Sequence, residues 1–232
     1  MKDNEFMSIQ VPLSQHDRRL LEDGLGRTGN AVFAFAALFF VQIFYGASLK
    51  SNIPLPVIEL AFFGVGLVLI FLCAAARPGE SVWGRFGVRG FVFFMLAIIV
   101  SREIFDLAKS HFGWETPITA IQRHAVAAQL FGVAIVTPII EEVIYRQYLF
   151  RAFSCGSGRL ASLVPILGTS TIFALSHLAY WGTASLLFVS LAGLLMGWAR
   201  ARSGGILLPL AMHIGMNTHA WWLEARRRRP GR

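Results

Sequence analysis

Two adjacent carboxylates, an arginine, two histidines and an asparagine lie in long apolar runs of the C-terminal half: Glu141, Glu142, Arg146, His177, His213 and Asn217. Burying one carboxylate near mid-bilayer costs at least ~2.5 kcal/mol, so such groups mark a partner, a wet cavity or a function. Spacing of four puts Glu142 and Arg146 on one helical face, where they suit a structural ion pair. Glu141 points about 100° away and is left to face a cavity. The same spacing aligns Phe173 with His177, and His213 with Asn217. One acid, two imidazoles and a carboxamide on three helices suit amide hydrolysis. Glu141 would take a proton from water, His177 would orient or share it, and His213 with Asn217 would donate to the developing oxyanion. Ser176 is not expected to be a nucleophile, because residues one apart on a helix do not face each other.

The same residues admit other uses. His177, His213 and a carboxylate could hold zinc with one position open for water. The sequence lacks His-Glu-x-x-His spacing and Asn is a poor zinc ligand, so the favoured reading requires no cofactor and zinc is the alternative. A non-enzymatic chain, either a proton-coupled transporter or an immunity protein, would use the carboxylates differently. No inverted repeat speaks for a transporter. The blander reading makes the polar residues glue between helices. His124, His219, Trp221 and Trp222 are assigned to packing or to the membrane interface.

The elements that must position these groups follow from composition. With 55% apolar and 15% charged residues, the chain has too little polar surface for a soluble globule of its size. The net charge of +8 comes from arginines grouped between apolar runs rather than along one stripe, which suits membrane flanks and excludes nucleic acid as a partner. Cys73 and Cys155 offer neither a disulfide framework nor metal-ligand spacing. Candidate spans are 31–49, 55–76, 91–100, 125–150, 160–178, 183–198 and 206–222. They predict an all-α, polytopic transmembrane helix bundle of about seven spans, with the active site between the C-terminal helices. Thr137 and Pro138 read as a helix start, residues 78–89 as an interfacial segment and 106–124 as a polar connection. The expected organisation is a polar N-terminal segment over 1–28, one membrane domain over 29–222 and a basic tail over 223–232. The N-terminal segment is too charged for a cleavable signal peptide. Seven spans put Arg77, Arg85, Arg89, Arg151, Arg159, Arg200 and Arg202 on one face, cytoplasmic by the positive-inside rule, and leave Arg226 to Arg229 on the other.

Taken in order, Glu141-Glu142-x-x-x-Arg146, Phe173-x-x-x-His177 and His213-x-x-x-Asn217 resemble the CAAX protease and bacteriocin-processing family of intramembrane peptidases, which includes the CAAX prenyl endopeptidases. The resemblance implies an all-helical membrane fold with a site between helices and Glu141 as the catalytic carboxylate. It also implies cleavage of a membrane-associated protein or peptide within the lipid bilayer, in a bacterial inner membrane. It leaves metal dependence open. The family usually closes its first motif with Phe-Arg-Gly, where this chain has Tyr145-Arg146-Gln147, a departure that bears on helix packing and pocket shape.

Overall fold

A computed structural model describes residues 15–48, 53–76, 82–113, 132–154 and 159–227. These residues form helices and no strand. They are α1 (Gln15–Ser48), α2 (Leu55–Ala76), α3 (Val88–Phe112), a composite helix α4 over 132–153, α5 (Arg159–Ser203) and α6 (Leu207–Arg227). Helical structure thus crosses both expected domain borders, starting at Gln15 and running on to Arg227.

Two stretches, Glu22–Phe44 in α1 and Ala161–Leu178 in α5, are long and apolar enough to cross a membrane, and Val57–Leu72 in α2 is a shorter apolar helix. Phe39, Phe71, Phe93 and Leu107 lie exposed on α1, α2 and α3, whereas Glu142 through Phe150 on α4 are all buried. A charged, polar stretch is therefore the most enclosed part of the bundle, and the apolar helices form its rim. A soluble protein reverses this order.

α3 corrects one expectation. Its helix continues through Asp106 to Phe112, where a polar connection was expected, because Asp106 pairs with Arg102 one turn earlier at 3.0 Å. Gly113 then closes the helix in a left-handed conformation, φ 66°, with its N–H on the Lys109 carbonyl. Residues 114–131, which include most of that expected connection and the start of the fourth expected span, lie outside the described residues.

α5 has 45 residues and would be about 67 Å long if straight. It is not straight. A Cβ on Gly197 would stand 3.3 Å from Ile166, and one on Gly193 would stand 3.3 Å from both Ser170 and Phe173. Such contacts need two antiparallel limbs, one bearing Ile166, Ser170 and Phe173 and the other Gly193 and Gly197. The two small residues let the limbs approach closely. With this reversal the described helices form seven rods.

The link between α5 and α6 is clasped to the lead-in of α3. Arg85 N–H donates to the Ser203 carbonyl at 2.8 Å, and Ile206 and Leu207 donate to Val82 and Trp83 at 3.0 Å each. The segment around Trp83 was expected to lie at the interface, and the clasp gathers Arg85, Arg89, Arg200 and Arg202 at one end of the bundle. Gly84 and Gly205 permit it, since a Cβ on either would overlap the backbone of the other, and Gly84 also has φ +69°. Gly205→Ala is accordingly expected to destabilise the fold by about 3 kcal/mol or more, read as a drop in thermal midpoint in detergent. An unchanged midpoint would mean that the clasp contributes nothing.

Candidate active site

α4 carries the carboxylates, and its winding is irregular for a chemical reason. The widened, π-type turns Gly132–Val136 and Glu142–Leu149 alternate with ordinary α-helix at Thr137–Glu141 and Phe150–Phe153. The helix therefore does not begin at Thr137, where the Thr-Pro pair predicts a start. Val136 is already helical, φ −67° and ψ −50°. Pro138 has no N–H, so in the five-residue register of a widened turn the Val133 carbonyl loses its partner. Asn217 on α6 replaces it, its Nδ2 donating to Val133 O at 2.8 Å. A neighbour's side chain lets the helix run through a proline that would otherwise end it.

A second irregularity follows the carboxylates. Phe150 N–H is directed at the Gln147 and Tyr145 carbonyls. The carbonyl between them, Arg146 O, accepts from Arg200 Nε at 2.8 Å. The Arg200 guanidinium is buried, lies 5.3 Å above the Phe150 ring and approaches the Gln147 amide at 3.3 Å. Asn217 and Arg200 thus hold α4 at two carbonyls, one before and one after Glu141 and Glu142. That fixes the bearing of both carboxylates.

Glu141 points into a gap between α5 and α6. Its Oε1 stands 3.8 Å from His177 Nε2 and its Oε2 stands 3.6 Å from His213 Nε2. Both separations are too long for direct hydrogen bonds, yet close enough for one water molecule to touch all three groups. Glu141 and His177 keep 20% and 19% of their side-chain surface accessible, whereas Glu142 and Arg146 have none. Of the two carboxylates, Glu141 is the accessible one.

Glu142 turns inward. Its Oε1 accepts from His213 Nδ1 at 2.9 Å and its Oε2 lies 3.6 Å from Arg146 Nε, the ion pair expected from their spacing. The contact with His213, from 71 residues away, has no sequence signal. Arg146 also donates to the Gly193 carbonyl at 3.2 Å and lies 5.2 Å above the Phe173 ring. That ring meets the His177 ring at 4.5 Å and the His213 ring at 5.9 Å, so Phe173 is an apolar wall shared by both imidazoles and the buried guanidinium. Sequence spacing put Phe173 on the stripe of His177 and missed this role.

The ring partners assign the tautomers. His177 Nδ1 lies 2.7 Å from the Phe173 carbonyl and His213 Nδ1 lies 2.9 Å from the Glu142 carboxylate. Both partners accept, so each Nδ1 carries the hydrogen, and in its neutral form each ring turns an Nε2 lone pair toward Glu141. Ser176 corrects a further expectation. Although it adjoins His177, its Oγ reaches Nδ1 at 3.3 Å, because both side chains bend back to the Phe173 carbonyl. It still meets no base there, since that Nδ1 donates. Asn217 commits one amide hydrogen to α4, which its expected role as an oxyanion donor did not include. His219 stacks near Trp222 at 6.2 Å, and His124 lies outside the described residues.

Neighbouring donors on one tetrahedral zinc ion stand about 3.3 Å apart at ordinary bond lengths. The separations around Glu141 exceed this, and among the described residues no three His, Cys, Asp or Glu side chains are grouped to hold a metal ion.

Residues 123–219 match the family model for type II CAAX prenyl endopeptidase Rce1-like proteins. All seven motif residues lie inside that segment. An Escherichia coli protein described as an uncharacterized 24.3 kDa protein is 33% identical over 96 residues, which cover 40% of this chain and 42% of that relative. The chain thus spans less than half the length of the curated relative it matches. No solved structure matches it. The resemblance carried by the three motifs is borne out over this segment, which matches the Rce1-like family model and whose described residues are helical.

Proposed function

We propose that this chain, with its Rce1-like segment at 123–219, is an intramembrane endopeptidase that hydrolyses a peptide bond of a membrane-associated protein or peptide, with Glu141 as general base. The observation that carries the reading is the placing of Glu141 Oε1 and Oε2 at 3.8 and 3.6 Å from the Nε2 atoms of His177 and His213. A water molecule donating one hydrogen to Glu141 and the other to His177 keeps a lone pair free for a carbonyl carbon. Glu141 takes the proton as the C–O bond forms. His213, when it carries both ring protons, donates from Nε2 to the developing oxyanion. The Glu142 carboxylate at 2.9 Å balances its charge. Asn217 aids by its remaining amide hydrogen and by holding α4. Glu141 then returns its proton to the leaving nitrogen as the C–N bond breaks, giving an amine and a carboxylic acid. No step needs a metal or a covalent intermediate.

In this reading one membrane domain, 29–222, crosses a bacterial inner membrane about seven times between a polar N-terminal segment and the basic tail. The end bearing Arg85, Arg89, Arg200 and Arg202 faces the cytoplasm. The test uses purified protein with fluorogenic peptides ending in a CAAX sequence, farnesylated or unmodified, before and after exhaustive chelation with metal content measured. Full activity without bound metal is expected. Loss of activity on chelation and recovery with one equivalent of zinc would replace the glutamate mechanism by the zinc alternative. No cleavage of any membrane-anchored candidate would favour a transporter or immunity protein.

A further inference from the structure

We infer that Tyr145 and Ser176 form a positioning relay that holds His177 in the tautomer with its hydrogen on Nδ1. The inference rests on the reading of Glu141 and His177 as the pair that activates water. Tyr145 is buried, and its hydroxyl donates to Ser176 Oγ at 2.8 Å across 31 residues of sequence. Ser176 Oγ in turn lies 2.8 Å from the Phe173 carbonyl and 3.3 Å from His177 Nδ1.

The hydroxyl of Ser176 has three directions available, one hydrogen and two lone pairs. The Tyr145 hydroxyl occupies one lone pair. The other two directions face Phe173 O and His177 Nδ1. Only one assignment avoids repulsion, with the hydrogen toward the carbonyl and the remaining lone pair toward Nδ1–H. The Phe173 carbonyl then receives Ser176 O–H and His177 Nδ1–H beside the helix's own backbone bond. Donation from Ser176 to Nδ1 would aim a serine lone pair at that carbonyl. Without the tyrosine hydroxyl, Ser176 is freer to turn its hydrogen to Nδ1, in competition with the 2.7 Å bond from Nδ1–H to the Phe173 carbonyl. In the fraction where it does, the histidine hydrogen sits on Nε2 and His177 faces the water of Glu141 as a donor instead of an acceptor. The Tyr145 ring adds a second constraint, packing edge-on against Phe173 at 5.2 Å, while Phe173 packs on the His177 ring at 4.5 Å. Tyr145 and Ser176 are positioning residues in this scheme, since neither is asked to touch substrate.

Tyr145→Phe keeps the ring packing and removes only the hydroxyl. The test combines ring-nitrogen NMR of protein labelled at histidine, with His177 assigned by substitution, and kinetics on the same CAAX-ended fluorogenic peptides. Tyr145→Phe is expected to populate the Nε2–H form of His177 and to lower kcat about tenfold, the effect of one net hydrogen bond, with KM within about twofold. Ser176→Ala removes the competing donor, so the Nδ1–H form should persist, and Tyr145→Phe in that background should lower kcat no further. An unchanged ring spectrum and kcat in Tyr145→Phe would overturn the relay, as would effects of the two substitutions that multiply. If wild-type protein cuts no peptide, the peptidase reading fails and the ring spectrum alone decides the relay. If the wild type cuts and Tyr145→Phe leaves the spectrum unchanged, the relay alone fails.

Discussion

Glu141→Gln is expected to lower the cleavage rate by roughly 10²–10⁴-fold, the usual contribution of a positioned general base, while the protein stays folded. Glutamine keeps the size and polarity of the side chain and lacks only the ability to take a proton. Glu141 is also the less committed carboxylate. Its imidazole neighbours stand at 3.6 and 3.8 Å, beyond direct hydrogen bonding, and a fifth of its side chain is accessible. Removing its charge should therefore shift the thermal midpoint by no more than a weak ion pair would, under about 1 kcal/mol. Cleavage by Glu141→Gln within a few-fold of wild type would remove Glu141 from the base role, whatever the other residues do.

Arg146→Ala should do the reverse, with its main effect on the fold. Arg146 and Glu142 are fully buried, and truncating one member leaves the other as an uncompensated buried charge, at a cost of about 3–5 kcal/mol. The bond to Gly193 O and the contact with Phe173 go with it. The variant is expected to accumulate poorly in membranes and to melt early in detergent. Arg146→Met with Glu142→Gln, which removes both charges and keeps most of the volume, should recover part of that stability without restoring cleavage, because His213 loses the carboxylate behind it. A fully stable Arg146→Ala protein would show that the bundle tolerates Glu142 alone, and the ion pair would lose its structural role.

The features legible in the sequence were those fixed locally. Apolar runs marked the helical rods, including the two limbs of α5, which were visible as two separate runs. Spacing of four marked the Glu142–Arg146 pair. The contacts that complete the site were not legible, because they join residues far apart in the chain. Glu142 with His213, Tyr145 with Ser176, and Arg200 with the Arg146 carbonyl follow from how rods pack, and no local pattern encodes that. The Thr137-Pro138 pair misled for a related reason. Proline at the first helical position is a sound local signal, but Asn217 supplies the missing donor and the helix continues through. The end of α3 shows the same limit. Its polar composition suggests a connection, while the Arg102–Asp106 pair and the Gly113 closure keep it helical.

The widened turns of α4 have one more consequence, for how this chain could have arisen and how it can be lost. A π-type turn holds one residue more than the α-helix it interrupts. Deleting a single residue from Glu142–Leu149 would restore ordinary pitch and keep nearly every apolar contact type, while the residues within the widened stretch shift their bearing against the flanking turns. The aim of the carboxylates would be lost without touching a carboxylate. Their direction is stored as a count of residues, so drift by insertion or deletion threatens this helix more than substitution along its apolar face.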